Sequence, residues 1–367
     1  MAWLLIPNNP RWQYDNAPPD PGADSPYRPL WLKQTAGIRT NSNGDKVYTK
    51  VRKVTDTSDN GVGEISKSFW DAQGTEDDDV SFRTLWETTA DGESITWPCD
   101  QGSGYSPTFD AVIDWGDGTT NTTITAYNDS GLTHTYATAG EYTVRITGTF
   151  PTVMFGGTAP SKDKIKKVLQ LGEVGWKNLK RAFKGCSNLT EFTVGSTTMS
   201  LSGGGENMGE FLRDCPLLSN VDFSGGNFDT SGATNMNAFF RCSSSDPVGD
   251  TALTTVDVSY LDTSNVTTMN GFFRDNDNIV SLPGMETWDI SSLNSVTSLD
   301  SRFLDRPSSI PTAAFDALLI AWAAQAPTTT INVVRFGAST YTGSGAAKAA
   351  HDALENTYGW NISNSPA

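Results

Sequence analysis

Few side chains in this chain could do chemistry, and their placement argues against catalysis. Its two histidines, His134 and His351, stand far apart, and its four cysteines are Cys99, Cys186, Cys215 and Cys242. No C-x-x-C spacing occurs, so a zinc site or a redox pair has no starting point. A nucleophile needs a base held within hydrogen-bond reach, and no such pairing can be nominated. Asp114 and Asp117, in Asp114-Trp-Gly-Asp-Gly118, could hold a cation, because hard oxygen ligands cluster in such turns. The full Asp-x-Asp-x-Asp-Gly loop with its distal Glu is absent, and a carboxylate in such a turn commonly holds backbone N–H groups instead. Carboxylates are abundant enough for a glycosidase pair, but they recur at fixed offsets, which structure demands and catalysis does not. The expected catalytic residues, metal ligands and cofactors are therefore none.

The elements that carry these residues repeat. An aromatic-basic core reads Leu179-Lys-Arg-Ala-Phe-Lys-Gly-Cys186, Met208-Gly-Glu-Phe-Leu-Arg-Asp-Cys215, Met236-Asn-Ala-Phe-Phe-Arg-Cys242 and Met269-Asn-Gly-Phe-Phe-Arg-Asp-Asn276. A degenerate copy starts at Leu299 and includes Arg302-Phe303-Leu304; successive copies begin 29, 28, 33 and 30 residues apart. A period near 30 marks a solenoid, whose units bury their apolar faces only by stacking. Apolar residues at i, i+3 and i+4 in Met-x-x-Phe-Phe predict one short helical turn. Val221-Asp-Phe-Ser224, Val256-Asp-Val-Ser259 and Trp288-Asp-Ile-Ser291 alternate with period two, which predicts a short strand with Val221 and Phe223 inward.

Strand, turn and short helix in about 30 residues form a leucine-rich-repeat type of rung. With Asp262-Thr-Ser-Asn-Val-Thr-Thr-Met269, these motifs resemble the BspA-like leucine-rich repeats of bacterial surface antigens. The tail resembles the end of such arrays in Phe315-Asp-Ala-Leu-Leu-Ile-Ala-Trp322, Phe336-Gly-Ala-Ser-Thr-Tyr341 and Gly359-Trp-Asn-Ile362. Equivalent residues on stacked rungs lie about 4.8 Å apart. Cys186, Cys215 and Cys242 then form a column of small buried thiols rather than disulfides or a metal site, with Asn276 in the fourth place. Lys184, Arg213, Arg241 and Arg274 stack likewise. Such a stripe could grip an anionic polymer, but Asp222, Asp229, Asp257, Asp262 and Asp289 also recur, and ion pairing between rungs is the expected use.

Residues before the repeats have another texture. Ile113-Asp-Trp-Gly-Asp-Gly118, His134-Thr-Tyr136 and Gly140-Glu-Tyr-Thr-Val-Arg-Ile-Thr-Gly148 read as short strands with tight turns, with further strands at 94–97 and 108–113. The motif residues Trp115, Gly116, Asp117, Gly118, His134 and Tyr136 are similar to those of immunoglobulin-like domains of the polycystic-kidney-disease type. That resemblance implies a β-sandwich. The expected fold class is mainly β with short helices: an N-terminal extended arm and small β region over 1–90, the sandwich over 91–152, and the solenoid with a C-terminal cap over 160–367. Sandwich and solenoid are expected to unfold independently.

The net charge of −16 opposes nucleic-acid and anionic-membrane partners, which need a positive field. No apolar run approaches the 18 residues or so of a membrane span. Met1-Ala-Trp-Leu-Leu-Ile-Pro7 has no basic segment or small-residue cleavage site, so an export signal is not expected. Pro7, Pro10, Pro18, Pro19, Pro21, Pro26 and Pro29 predict an extended arm poor in regular structure. Trp3, Trp12, Tyr14, Tyr27 and Trp31 punctuate that arm as candidate docking residues. Strands are expected at 46–52 and 63–70, and a solvated acidic loop at 76–79. The region is faintly similar to N-terminal segments of small tailed-phage structural proteins.

Surface-type modules on a chain without an export signal fit a virion protein, made in the host cytoplasm and exposed by lysis. The leading expectation is thus a non-enzymatic phage virion protein, docked by its N-terminal region. Its partners would be capsid or tail proteins, with a host-surface polymer as a further candidate and homo-oligomerisation left open. The immunoglobulin-like module on so short a chain favours head decoration over a tail fibre. A cellular adhesin exported without a classical signal is the alternative reading, and a carbohydrate-active enzyme the third.

Overall fold

The computed structural model describes the backbone of residues 2–6, 30–34, 38–40 and 46–48 among the first 79. From Val80 onward it describes all residues but 102–106, 158, 201–206, 226, 243–251, 294–298, 300–302, 305–308 and 332–334. The described residues are mainly β with few short helices. The chain divides into two compact units, Met1–Asp79 and Val80–Ala367.

In the first unit, β1 (Ala2–Ile6) pairs antiparallel with β2 (Leu30–Gln34), placing Trp3 opposite Lys33 and Leu5 opposite Trp31. β3 (Ile38–Thr40) pairs antiparallel with β4 (Lys46–Tyr48). The ends of the segment expected to be an extended arm are therefore strands. Ladder pairing satisfies the N–H and C=O groups that face the partner strand, which a lone extended chain leaves to water. Trp12, Tyr14 and Tyr27, the strand expected at 63–70 and the acidic loop at 76–79 lie outside the described residues.

The second unit begins with β5 (Phe82–Thr88) and β6 (Ser94–Thr96), then β7 (Asp110–Asp114), β8 (Thr122–Ile124), β9 (Thr133–Thr135) and β10 (Gly140–Thr149). There follow β11 (Ile165–Gln170), β12 (Glu191–Thr193), β13 (Thr198–Ser200), β14 (Asn220–Asp222) and β15 (Asn227–Asp229). One sheet runs β14-β12-β11-β5-β10-β7-β8. Its centre is β5, whose period-two pattern buries Phe82, Thr84, Trp86 and Thr88. β5 pairs antiparallel with both β10 and β11. The boundary expected at residue 90 therefore moves back to Asp79/Val80, because a cut at 90 would remove the central strand.

The expected boundary between 152 and 160 disappears too. β11 continues the sheet in parallel into β12, and β12 into β14. Thr152 bridges in parallel to Asn178, and Phe155 donates its N–H to Ala182 O at 3.1 Å. Residues 151–156 and β11 thus pair with the first recognised repeat as an additional unit, and a single apolar core spans the two regions. Rings link across it in a chain: Trp86 to Phe155 at 5.9 Å, Phe155 to Phe183 at 6.2 Å, Phe183 to Phe211 at 5.5 Å, Phe211 to Phe239 at 5.1 Å and Phe239 to Phe272 at 5.0 Å. Independent unfolding of the two regions is not what a shared sheet and core permit.

The Met-x-x-Phe-Phe segments are not helical turns. Their third residues, Arg181, Glu210, Ala238 and Gly271, have φ of 58°, 60°, 53° and 62°, incompatible with a right-handed helix. The physical reason lies in the backbone hydrogen bonds. A single helical turn leaves its first N–H groups without partners, whereas here they reach the next unit. Glu210 N donates to Asn237 O at 2.7 Å, Leu212 N to Phe239 O at 2.8 Å, Ala238 N to Asn270 O at 2.8 Å and Phe240 N to Phe272 O at 2.8 Å. Asn207, Asn235 and Thr268 begin this ladder as successive parallel bridges.

The chain ends in α1 (Thr312–Ala324), which buries Phe315, Leu318, Leu319 and Trp322, and α2 (Gly345–Asn356), which buries Ala347, Ala350, His351 and Leu354. Phe336 packs against Phe303, Phe315 and Trp322, closing the ring chain.

Candidate functional site

Two places gather the chemistry-bearing side chains. The first is the turn after β7. Asp114 Oδ1 accepts Gly116 N–H at 3.0 Å, and Asp117 Oδ1 accepts the N–H and hydroxyl of Thr119 at 3.0 and 2.6 Å. Asp117 Oδ2 lies 2.7 Å from His134 Nε2. The His134 ring stacks on Trp115 at 4.9 Å and meets Tyr136 edge-on at 4.7 Å, and Tyr136 donates its hydroxyl to Trp115 O at 3.0 Å. Burial pushes the Asp117 carboxyl up, but the bonds from Thr119 and His134 outweigh it and hold the group below its ordinary value. Each carboxylate of the turn has an Oδ1 engaged in shaping the backbone.

Gly116 and Gly118 both adopt positive φ, 77° and 79°, yet they differ in surroundings. A Cβ on Gly116 would stand 2.4 Å from Thr143 O, while one on Gly118 would meet nothing within 4 Å. Gly118→Ala should therefore cost only the backbone strain of about 1–3 kcal/mol. Gly116→Ala adds a backbone collision to the same strain. Denaturant melts of the two variants should rank Gly116→Ala as clearly the less stable, and equal losses would contradict this register of β7 against β10.

The second place is the ladder along the repeats. Cys186, Cys215 and Cys242 are buried free thiols, and Asn276 is buried beside them. The column is not purely apolar, however. Cys215 Sγ donates to Phe183 O at 3.1 Å, and Asn276 Nδ2 donates to Phe240 O at 2.8 Å, so the position faces a main-chain acceptor that either side chain can serve. Burial pushes the Cys186 and Cys215 thiols far up, and that of Cys99 as well, which keeps them from acting as nucleophiles.

The cations Lys184, Arg213, Arg241 and Arg274 do pair with acids, but not with those expected. Arg181 (2.9 Å), Lys184 and Arg213 (2.9 Å) converge on Glu210. Arg213 Nε also lies 3.2 Å from Asp214 Oδ2, an ion contact without hydrogen-bond alignment. Arg241 and Arg274 approach Asp275 at 3.3 and 3.6 Å. Burial raises the Glu210 carboxyl, but Lys184 and Arg181 more than offset it and bring its pKa to about 2. Asp222, Asp229, Asp257, Asp262 and Asp289 have a local use instead: each Oδ1 accepts the N–H of the serine two residues on, at 2.8–3.1 Å. An Asx turn of this kind fixes a chain corner, directly at the ends of β14 and β15 for Asp222 and Asp229.

Arg181, Glu210, Asp214 and Asp275 were not singled out in the sequence. The signal was there in part, because Asp214 and Asp275 each follow a ladder arginine directly. His351 is buried in α2, stacked on Tyr341 at 4.3 Å, and neither ring nitrogen has a hydrogen-bond partner. Among the described residues, no group of three or more His, Cys, Asp or Glu is placed to hold a metal ion, and no helix is long and apolar enough to cross a membrane. No protein-family model matches the chain, and no curated protein or solved structure matches it.

Proposed function

We propose that this chain is a non-enzymatic structural protein of a bacteriophage virion that presents a repeat array for adhesion. Residues 1–79 dock it to the particle, an immunoglobulin-like sandwich of the polycystic-kidney-disease type leads outward, and a BspA-like leucine-rich-repeat solenoid forms the contact surface. One observation carries the adhesive reading. Equivalent positions of successive units pair backbone to backbone, as Met208 N with Asn235 O and Met236 N with Thr268 O, at 2.8 and 2.9 Å. Such stacking builds a continuous lateral surface in place of a deep pocket. The sandwich reading is supported by the buried Trp115, the Tyr136 bond to its carbonyl, and β6–β9 sharing a core with β7 and β10. The docking reading rests on the aromatic and proline content of the first 31 residues. Aromatic anchors dominate binding energy, and prolines reduce the entropy lost when such a segment docks.

The compact-unit boundary defines the test. Fragments 1–79 and 80–367 are added separately to particles lacking the protein. The 1–79 fragment should bind and should compete with the full chain. Binding by 80–367 and not by 1–79 would reverse the proposed polarity.

A further inference from the structure

We infer that the cleft at the seam between the repeats and α1 is a binding site for a neutral sugar residue carrying an acetamido group. This rests on the adhesive reading above and names its ligand class. The cleft holds about 390 Å³ and is lined by Val280, residues 309–312 and residues 338–340. Ligand clefts span roughly 300–1,000 Å³, and the lower end of that range suits one or two sugar residues.

Backbone bonds hold the walls. Val280 N donates to Thr254 O at 2.9 Å and Ser309 N to Ile279 O at 3.2 Å, which sets 309–311 beside 279–281 as the next step of the array. Ile310 N donates to Ser339 Oγ at 3.0 Å, and Asn364 Nδ2 to Ser339 O at 2.7 Å. The third wall is thereby tied to the second. Walls with bonds of their own lose little freedom when a ligand enters.

The spare groups define the ligand. Among the described residues the Ser309 hydroxyl has no partner, and Ser339 Oγ accepts from Ile310 while its own O–H has no acceptor. Thr312 and Thr340 share one bond between their hydroxyls at 3.1 Å, which occupies one O–H and leaves the other. Hydroxyls both donate and accept, as the hydroxyls and amide of such a sugar do. No charged side chain is in the lining, so an ionic ligand would lack a counter-charge. No aromatic ring is in it either, so a nucleobase has no stacking platform. The apolar corner takes the methyl group. Val280 is 54% exposed, the most exposed large apolar side chain among the described residues, and Pro311 and Ala338 are exposed beside it. An acetamido methyl covers part of that surface, and the amide next to it supplies one donor and one acceptor.

The probe is N,N′-diacetylchitobiose, titrated against the full chain by ligand-observed NMR. Cellobiose, with the same linkage and no acetamido group, is the first parallel arm. Inorganic phosphate is the second, because α1 begins at Thr312 and a helix N-terminus can attract an anion. Saturable binding of diacetylchitobiose is expected, with cellobiose roughly fivefold or more weaker and no displacement by phosphate. Val280→Thr is nearly isosteric at an exposed position, and Ser309→Ala removes a hydroxyl that bonds to nothing within the described residues. Each should weaken binding by roughly threefold, and the double variant by roughly tenfold, with native melting retained. Absence of diacetylchitobiose binding, equal binding of cellobiose, displacement by phosphate, or a double variant that binds as the native chain does overturns the inference. Should the double variant fail to fold, Ser309→Ala decides alone, and an unchanged affinity overturns it. These titrations use the isolated chain, so their failure leaves the docking polarity standing, and failure of the fragment experiment leaves the cleft standing.

Discussion

Replacing Trp86 with alanine should lower the stability of the whole unit from Val80 to Ala367 by about 3–5 kcal/mol, in one transition. Trp86 is fully buried in the central strand β5, with ring contacts to Trp97 at 5.0 Å and Phe155 at 5.9 Å and an indole N–H bonded to Thr84 Oγ1 at 2.8 Å. Removing it opens a cavity where the sheet joins β5–β10 to the first repeats. Stacked repeats alone often unfold piecemeal, since each touches only its neighbours. Here β5 binds β10 on one side and β11 on the other, so the repeats have no free edge on the β11 side. The check is a denaturant titration followed by tryptophan fluorescence and, in parallel, by thiol labelling of Cys186. Coincident midpoints that shift together in Trp86→Ala are expected. A Cys186 transition that stays at its original midpoint would show the repeats to be an independent unit.

The second large effect is at Glu210. Glu210→Gln keeps the size and the acceptor oxygen but removes the charge that Arg181, Lys184 and Arg213 surround. A pKa lowered from 4.5 to about 2 corresponds to about 3 kcal/mol of stabilisation by the ionised form. Arg181 is 42% exposed, so solvent screening trims its share, and a loss of about 2–3 kcal/mol is expected. The sign follows from the depressed folded-state pKa. The contribution is complete above the unfolded value of 4.5 and fades as pH falls toward about 2. Denaturant melts at about pH 7 and about pH 3 should therefore show the gap between native and Glu210→Gln proteins narrowing in acid. A gap that stays constant would mean that Glu210 acts through packing rather than charge.

Much of this arrangement was legible in the sequence wherever burial enforces a residue type. Phe183, Phe211, Phe239 and Phe272 line one ring chain, and the recurrence of the aromatic-basic motif that holds them revealed the period. Trp115, His134 and Tyr136 come together as one aromatic stack, because each type is needed for its own contact. Backbone conformation was much less legible. Positive φ at Arg181, Glu210 and Ala238 leaves no mark in residues with a Cβ, and Gly271 alone hinted at it. Spacing at i, i+3 and i+4 therefore resembled a helix where inter-unit pairing had taken the hydrogen bonds. β5 was obscured because two of its four buried positions are Thr84 and Thr88, which read as polar. Residues 151–156 lack the basic residue of the core motif, so they fell outside the expected repeat region, whose start at 160 already took in β11. Partner choice among charges was hidden for another reason: carboxylates are numerous, and nothing in the spacing separated the Asx-turn aspartates from Glu210 and Asp275.

Quantitative mass spectrometry of purified phage particles from the host that makes this chain tests the virion assignment most directly. A virion structural protein should be present at a fixed copy number per particle, reproducible between preparations and retained through a high-salt wash. A chain found only at trace level, or removed completely by that wash while the particle stays intact, would contradict the assignment.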